Sequence, residues 1–461
     1  MKLTILGAAE QVTGSMHLLQ LTNYNILIDC GLDYEKDTYQ HENLYFPFDP
    51  STIDVVILTH AHIDHSGNLP TLVSMGFNGQ ILCTAPTAEL SELLLLDSVN
   101  VFLSKQNKRS GSKRSRTGPE PLYQQKQVME TTDRFVTIAF HKEFRLHENV
   151  TLTLIPIGHL LGAAAIVLTV TENGSTKKIA FTGDIGRKGY PLLSDPEPLP
   201  PVDYLVSEST YGGRLHSRDT TLTQKLIDII SESCIKYPGR LIIPAFSIGR
   251  TQALAYTLNK IFSTGLLPPV KIFIDSPLAG AATEIYQKYP QLLNREAQDF
   301  YADKNNNSGF KELSYVQDKR ESIAVANYHE PCIIISSAGM LEGGRIQDHL
   351  YYNLQNYYCT ILFIGYCAKG TLGERLLRGD PIIRLRNRDL MVYATIKQTD
   401  LLSGHGDHND LMDIVRQQNP STLKQVFLVH GEHKSLQALS GSLQEENYAV
   451  TIPKKGESFE L

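Results

Sequence analysis

Apolar residues in the first 210 positions fall into short runs bounded by polar or glycine-containing turns: KLTIL, HLLQL, YNILID, DVVILT, QILCT, VTLTLIPI, AIVLTVT, KIAFTGD and YLVSES. Their β-branched content and brevity read as strands. Apolar residues three and four apart, the helical spacing, occur chiefly between Ala88 and Leu103. Many short strands with few helices predict a sandwich with helices outside. From about residue 220 the texture changes to helices alternating with buried strands: Thr221 to Tyr237, GRLIIPAF, Thr251 to Phe262, VKIFIDSP, PCIIISS and YCTILFIGY. That alternation predicts a parallel α/β sheet. After about 385 the short-strand texture returns in DLMVYATIKQ and QVFLVHG. The pattern therefore predicts a first domain over 1–211, an α/β domain inserted over 212–385, and completion of the first domain by 386–461.

Lys plus Arg number 43 and Asp plus Glu 49 in 461 residues, a net charge of −6, so any anion-binding surface must be local. The one biased stretch, Lys105 to Arg116, holds six positive residues and no acid. It predicts a flexible basic loop, either a solvated linker or a phosphate-backbone contact. Six cysteines without a CxxC pair are too dilute for a disulfide framework and read as reduced thiols. Glu10 interrupts the N-terminal apolar run before a signal-peptide core develops, which predicts a cytoplasmic protein. Asn149 to Thr171 carries no charged residue and is long enough to span a bilayer. Pro156, Gly158, His159 and Gly162 in its middle, between β-branched flanks, instead predict two strands and a tight loop, and no membrane span.

The chemistry concentrates in Thr59-His60-Ala61-His62-Ile63-Asp64-His65, directly after the apolar DVVIL. A single histidine is usually structural, but four metal-ligating heads released together from a strand end are not plausible core. In an extended HxH, alternate residues share a face, so His60 and His62 can grip one ion while Asp64 and His65 face another. Further ligands should lie at other strand ends. His159 in PIGHLLG, Asp184 in FTGDIG and His430 in FLVHGEH each follow an apolar strand beside a glycine. Together they complete a two-metal site of the kind that clamps attacking and leaving oxygens. Asp29 in NILIDCG is placed to orient a ligand histidine.

These motifs resemble the metallo-β-lactamase superfamily. VTGS, DCG, HAHIDHSGNLP, GHLLG, FTGDIGR, SESTYG, IPAFSIGRTQ, DSPLA, SSAGM, GYCAKGTLG, SGHGDH and LVHGE stand in the order of its β-CASP nucleases. The likeness is strongest to prokaryotic relatives of the nuclease subunit in the cleavage and polyadenylation machinery. It implies an αββα metallo-β-lactamase sandwich with an inserted β-CASP domain, two zinc ions per chain and a single-stranded RNA substrate lying between the two domains. A second copy of the chain is the candidate protein partner. By the same resemblance, His60, His62, His159 and Asp184 bind one zinc, while Asp64, His65, His430 and a bridging Asp184 bind the other. A hydroxide between the ions is the implied nucleophile. His405 in SGHGD is the implied proton donor to the leaving oxygen, with Glu208 in SEST as its acidic partner; with Asp64 they make the catalytic set. Ser247, Arg250, Ser337, Gly339 and Arg345, in Gly-rich strand-to-helix junctions, are the implied substrate contacts. Three departures, Gly404 and Gly406 around His405, Gly213 in TYGGR and Ala163 in GHLLGAA, remove no ligand.

The expected activity is zinc-dependent, endonucleolytic RNA hydrolysis. Only 31 residues follow His430, filled by one helix and one strand, whereas relatives that degrade from a 5′ end carry a further C-terminal domain. The alternatives are a 5′-exonuclease, a superfamily hydrolase acting on a small phosphodiester, thioester or lactam, and an inactive RNA-binding scaffold. The remaining histidines, including His17 and His349, match no ligand position and read as surface or core-edge residues.

Overall fold

The computed structural model describes residues 1–33, 43–110, 122–216, 221–303 and 310–461, with the side chains of 104–110 excepted. Two compact units form: Met1–Lys188 with Asp195–Leu215 and His405–Leu461, and Gly189–Ser194 with His216–Gly404.

The first unit contains two seven-stranded sheets. One runs Ser458–Glu460, Lys2–Ile5, His17–Gln20, Asn25–Ile28, Val55–Ile57, Gln80–Cys83, Phe135–Thr137. The other runs Val450–Thr451, Gln425–Val429, Tyr204–Glu208, Ser175–Phe181, Ala164–Glu172, Val150–Pro156, Phe144–His147. Side chains alternate between sheet faces, so each strand supplies one set to the interior between the sheets. Leu3, Ile26, Val55 and Leu82 of the first sheet meet Leu152, Leu168, Phe181 and Val206 of the second there. The other face of the first sheet, with Leu27, Val56 and Ile81, packs on Leu69 and Leu72 of the helix Leu69–Ser74. The helix His433–Glu445 covers the last strands of the second sheet. This is the αββα sandwich. The uncharged window of 149–171 is the antiparallel pair Val150–Pro156 and Ala164–Glu172 joined by a short loop, and no helix among the described residues is long and apolar enough to cross a membrane.

Two local expectations change. The chain after His430 forms one helix and two short strands, the second of which, Ser458–Glu460, returns to pair with Lys2–Ile5. The helix expected to Leu103 runs over Ala85–Ser110, so the basic run begins inside it; residues 111–116 of that run lie outside the described residues.

The second unit is a six-stranded sheet in the order Leu313–Tyr315, Lys271–Asp275, Cys332–Ser336, Arg240–Pro244, Cys359–Phe363, Thr395–Gln398, with every pair parallel. The four strands inside it are continuous apolar runs because helices cover both faces. The unit extends to Gly404, so 386–404 packs here and not with the sandwich as its texture suggested. The apparent single strand DLMVYATIKQ is divided: Arg388–Met391 forms a hairpin with Ile382–Leu385, and Thr395–Gln398 adds a sixth strand. Arg386 and Asn387, both at positive φ (48° and 62°), make the two-residue turn that matches strand twist.

At the C-terminal end of Lys271–Asp275 lies a charge network in which Asp275 and His349 are fully buried and Arg345 is partly exposed. Asp275 accepts from Arg345 Nη1 at 2.7 Å, His349 Nε2 at 2.6 Å and the Ser322 hydroxyl. His349 is itself completely buried, a correction to the surface or core-edge expectation. Burial disfavours the Asp275 carboxylate, but the bonds from His349, Ser322 and Arg345 outweigh it and hold its carboxyl below the usual range. Asp275→Ala should therefore cost about 3–5 kcal/mol in chemical unfolding, because it removes the buried acceptor of three hydrogen bonds and takes the carboxylate away from the Arg345 guanidinium. The wild-type contribution is present above the ordinary carboxyl pKa, about 4, and is lost as pH falls through the lower folded value. An equal loss of stability on substitution at pH 7 and at the acid limit would contradict this.

Candidate metal centre

The ligand-bearing loops leave strand ends of the sandwich on one rim. Val55–Ile57 leads into His60 and His62, and the short helix Ile63–Ser66 carries Asp64 and His65. His159 lies in the loop after Val150–Pro156, Asp184 after Ser175–Phe181, Glu208 at the end of Tyr204–Glu208 and His430 after Gln425–Val429. Glycines bring these loops together by removing a side chain at points of backbone contact. A Cβ at Gly31 would lie 1.6 Å from the Asp64 carbonyl oxygen, and one at Gly186 2.3 Å from the carbonyl carbon of Gly158, beside His159.

The result is three adjoining clusters whose ligand atoms lie within 4.8 Å of one another: His60, His62, His159 and Asp184; Asp64, His65 and His430; and Asp184, Glu208 and His405. Asp184 faces both ligand groups. Its Oδ2 is 3.6 Å from His60 Nε2 and 3.4 Å from His159 Nε2, while its Oδ1 is 3.2 Å from His65 Nε2 and 3.4 Å from His430 Nδ1. Nε2 of His60 is 3.0 Å from Nδ1 of His62, and Nε2 of His430 is 3.5 Å from Oδ2 of Asp64. His65 Nε2, Asp184 Oδ1 and His430 Nε2 are buried yet have no hydrogen-bond partner among the described residues. Unsatisfied buried polar atoms of this kind are costly unless something else binds them. Neutral imidazoles and carboxylates converging on one spot are the donor set of a borderline divalent cation, so the residues fit the metal that the motifs imply.

Electrostatics point the same way. Burial pushes the His60 imidazole well below its usual range and His62 down to about 4, which keeps both neutral and able to ligate. Burial also opposes charge on His65, but the Asp184 and Asp29 carboxylates outweigh it and raise its pKa. Asp184 is buried too, and His430, His65 and His60 hold its carboxyl well below the ordinary value.

Further side chains orient the candidate ligands. Asp29 Oδ2 accepts from His65 Nδ1 at 2.7 Å, and both its oxygens are bonded by Thr59, from the backbone N–H and from the hydroxyl, each at 2.8 Å. Thr59 Oγ1 also lies 3.1 Å from His60 Nδ1. On the other side Thr210 Oγ1 is 3.1 Å from His430 Nδ1. Glu208, buried, accepts from the Ile185 N–H at 2.6 Å and the Thr210 N–H at 3.1 Å, and its Oε1 is 3.3 Å from His405 Nδ1.

Thr59 and Thr210 were not among the expected site residues, and His17, expected at the surface or core edge, is buried. Thr59 and Thr210 each adjoin a motif residue, so their position beside it was the available signal. His17 is buried against Phe181 with its pKa lowered to about 3 by burial, next to His65 and His430, and gave no signal in the sequence. His408 and His433 turn away from the ligands, to the Gly212 carbonyl and to Glu10. Ser247, Arg250, Ser337, Gly339 and Arg345 belong to the second unit, at the C-terminal ends of its strands. There Ser247 Oγ meets Ser276 Oγ at 2.9 Å, the Arg250 guanidinium lies over the Phe246 ring, Gly339 backs onto that ring, and Ser337 O accepts from the Ile346 N–H. Arg345 is engaged by Asp275 and by the Val316 and Gln317 carbonyls.

An αββα sandwich with such a rim of histidines and aspartates defines a metal-dependent hydrolase. Three family descriptions match: a metallo-beta-lactamase superfamily domain over residues 18–182, a Beta-Casp domain over 251–376 and a Zn-dependent metallo-hydrolase RNA specificity domain over 389–453. The chain is 30% identical over 458 residues to Ribonuclease TTHA0252 of Thermus thermophilus, covering 99% of both chains. It is 28% identical over 456 residues to the transcription termination factor FttA of Methanosarcina mazei, covering 96% of this chain and 69% of that one. A crystal structure of an Enterococcus faecalis protein of unknown function shares the fold at TM-score 0.54 and 12% identity, over 100% of this chain and 99% of that one. The chain belongs to the β-CASP group of the metallo-β-lactamase superfamily.

Proposed function

We propose that this protein is a ribonuclease that hydrolyses internal phosphodiester bonds of single-stranded RNA with two zinc ions. The observation that carries the proposal is Asp184, whose two oxygens face two separate ligand groups. The ribonuclease name of a relative matched from end to end supports RNA as the substrate. On this reading His60, His62, His159 and Asp184 hold one ion, and Asp64, His65, His430 and Asp184 the other. When bound, such a pair of cations polarises phosphoryl oxygens and makes water acidic enough to attack at neutral pH. The protein's own groups do the rest. Glu208, fixed by two backbone N–H groups, holds His405 through Nδ1, so the other ring nitrogen is free of that contact and carries the proton for the leaving oxygen. His405, partly exposed, can reach a substrate that the buried Glu208 cannot.

Asp29 acts through His65, fixing the ring so that Nε2 faces Asp184. Asp29→Asn should weaken zinc retention by ~10–100-fold in competition with a chromogenic chelator, the usual effect of losing such a partner. Unchanged retention would remove Asp29 from the centre. The proposal itself is tested on circular single-stranded RNA, which has no end to enter by. Chelator-sensitive linearisation is expected. Intact circles with mononucleotides released from a 5′-monophosphorylated linear strand would instead establish 5′-exonuclease action.

A further inference from the structure

The parallel sheet of the second unit has a distinctive edge at the N-terminal ends of its strands, opposite to Ser247 and Gly339. Tyr357 and Tyr393, just before Cys359–Phe363 and Thr395–Gln398, stack with ring centres 4.6 Å apart and planes within 8°. The stack uses one face of each ring. Tyr357 still remains 72% exposed, and Tyr393 and Tyr352 are 38% and 43% exposed. The adjoining hairpin of Ile382–Leu385 and Arg388–Met391 contains Arg384, Arg386 and Arg388 against the single acid Asp389. Arg386 at its tip lies 4.9 Å over the Tyr351 ring and pairs with Asp348. Arg384 reaches Asp389 only at 4.0 Å, with both exposed.

Large aromatic side chains left exposed side by side offer flat faces on which a partner's rings can stack. Flat rings beside an excess of arginine, on a chain whose net charge is −6, are complementary to a polyanion with flat bases. We infer that Tyr357, Tyr393 and the arginine hairpin form a second binding surface for single-stranded RNA, gripping nucleotides other than those at the Ser247 and Gly339 junctions of the same unit. The inference rests on the ribonuclease reading for its substrate. Strands of five residues separate this edge from the Ser247 and Gly339 junctions by about 17 Å. Only an RNA of some length engages both.

The test compares an unstructured RNA of about 20 nucleotides with one of about five, on the zinc-loaded protein. In Tyr357→Ala/Tyr393→Ala, KM for the long RNA should rise ~10-fold or more, the effect of losing one or two stacked bases, with kcat unchanged and the short RNA turned over as by wild type. Arg384→Ala/Arg388→Ala, which leaves the ring stack intact, should reduce the salt slope of long-RNA affinity by about 1.4, two single-strand phosphate contacts. Long-RNA affinity and salt slope unchanged in both variants would overturn the inference. So would a halving of sedimenting mass in the tyrosine variant, which would make this edge a contact between copies of the chain. Binding is also measured by fluorescence anisotropy on metal-free protein. A wild type that binds long RNA through these residues but never cleaves it defeats the ribonuclease reading and leaves this surface standing.

Discussion

Asp184→Asn should lower zinc content at both positions together and reduce RNA cleavage by well over 100-fold, beyond the effect expected for an outer partner such as Asp29. The reason is geometric. One oxygen faces His60 and His159, the other His65 and His430, so a neutral amide weakens two sites at once. Asp64 provides the contrast. It belongs to one ligand group alone and is a quarter exposed, so Asp64→Asn should deplete about one zinc per chain, not two. Elemental analysis of the two purified variants reads this directly. Equal depletion in both, or loss of a single zinc in Asp184→Asn, would remove Asp184 from the bridging position.

The second large effect separates proton transfer from metal binding. His405→Ala should keep both zincs and lose cleavage by roughly 10²-fold or more, the scale of a general acid. Glu208→Gln should do the same to a lesser degree. The amide has one oxygen where the carboxylate uses two, Oε1 for the Ile185 N–H and Oε2 for the Thr210 N–H, so it keeps one of these bonds and weakens the hold on His405. Because the two act as one unit, the double variant should be little worse than His405→Ala. Zinc lost from His405→Ala would reassign that histidine as a ligand, in line with its 3.9 Å approach to Asp184. Additive losses in the double variant would mean that the pair does not work as a unit.

Much of the site was legible because its residues announce themselves in short windows. Four candidate ligand heads in six positions are not plausible core, and a lone histidine after an apolar strand and beside a glycine marks a strand end opening into a loop. Which side chains support those ligands was less legible. Thr59 and Thr210 are ordinary residues in the sequence, and His17 looked like any strand histidine, because their roles arise only from distant chain segments meeting. The same limit explains His349: its partner Asp275 lies 74 positions away, and neither residue reveals that both will be buried where the helix Ile346–Asn353 meets the end of a strand. The segment 386–404 misled for a different reason. A hairpin followed by an edge strand has the same short apolar runs as a sandwich, and local periodicity carries no information about which sheet a strand joins. Tyr357 and Tyr393 passed without notice because tyrosines 36 positions apart form a surface only once two strands of a parallel sheet have paired.

The most direct test of the account titrates zinc into fully chelated protein while following cleavage of an end-labelled single-stranded RNA. No cleavage is expected before zinc is added, with recovery that levels off at two zincs per chain and is absent in Asp184→Asn. Cleavage that survives complete chelation, or recovery that is full at one zinc per chain, would contradict it.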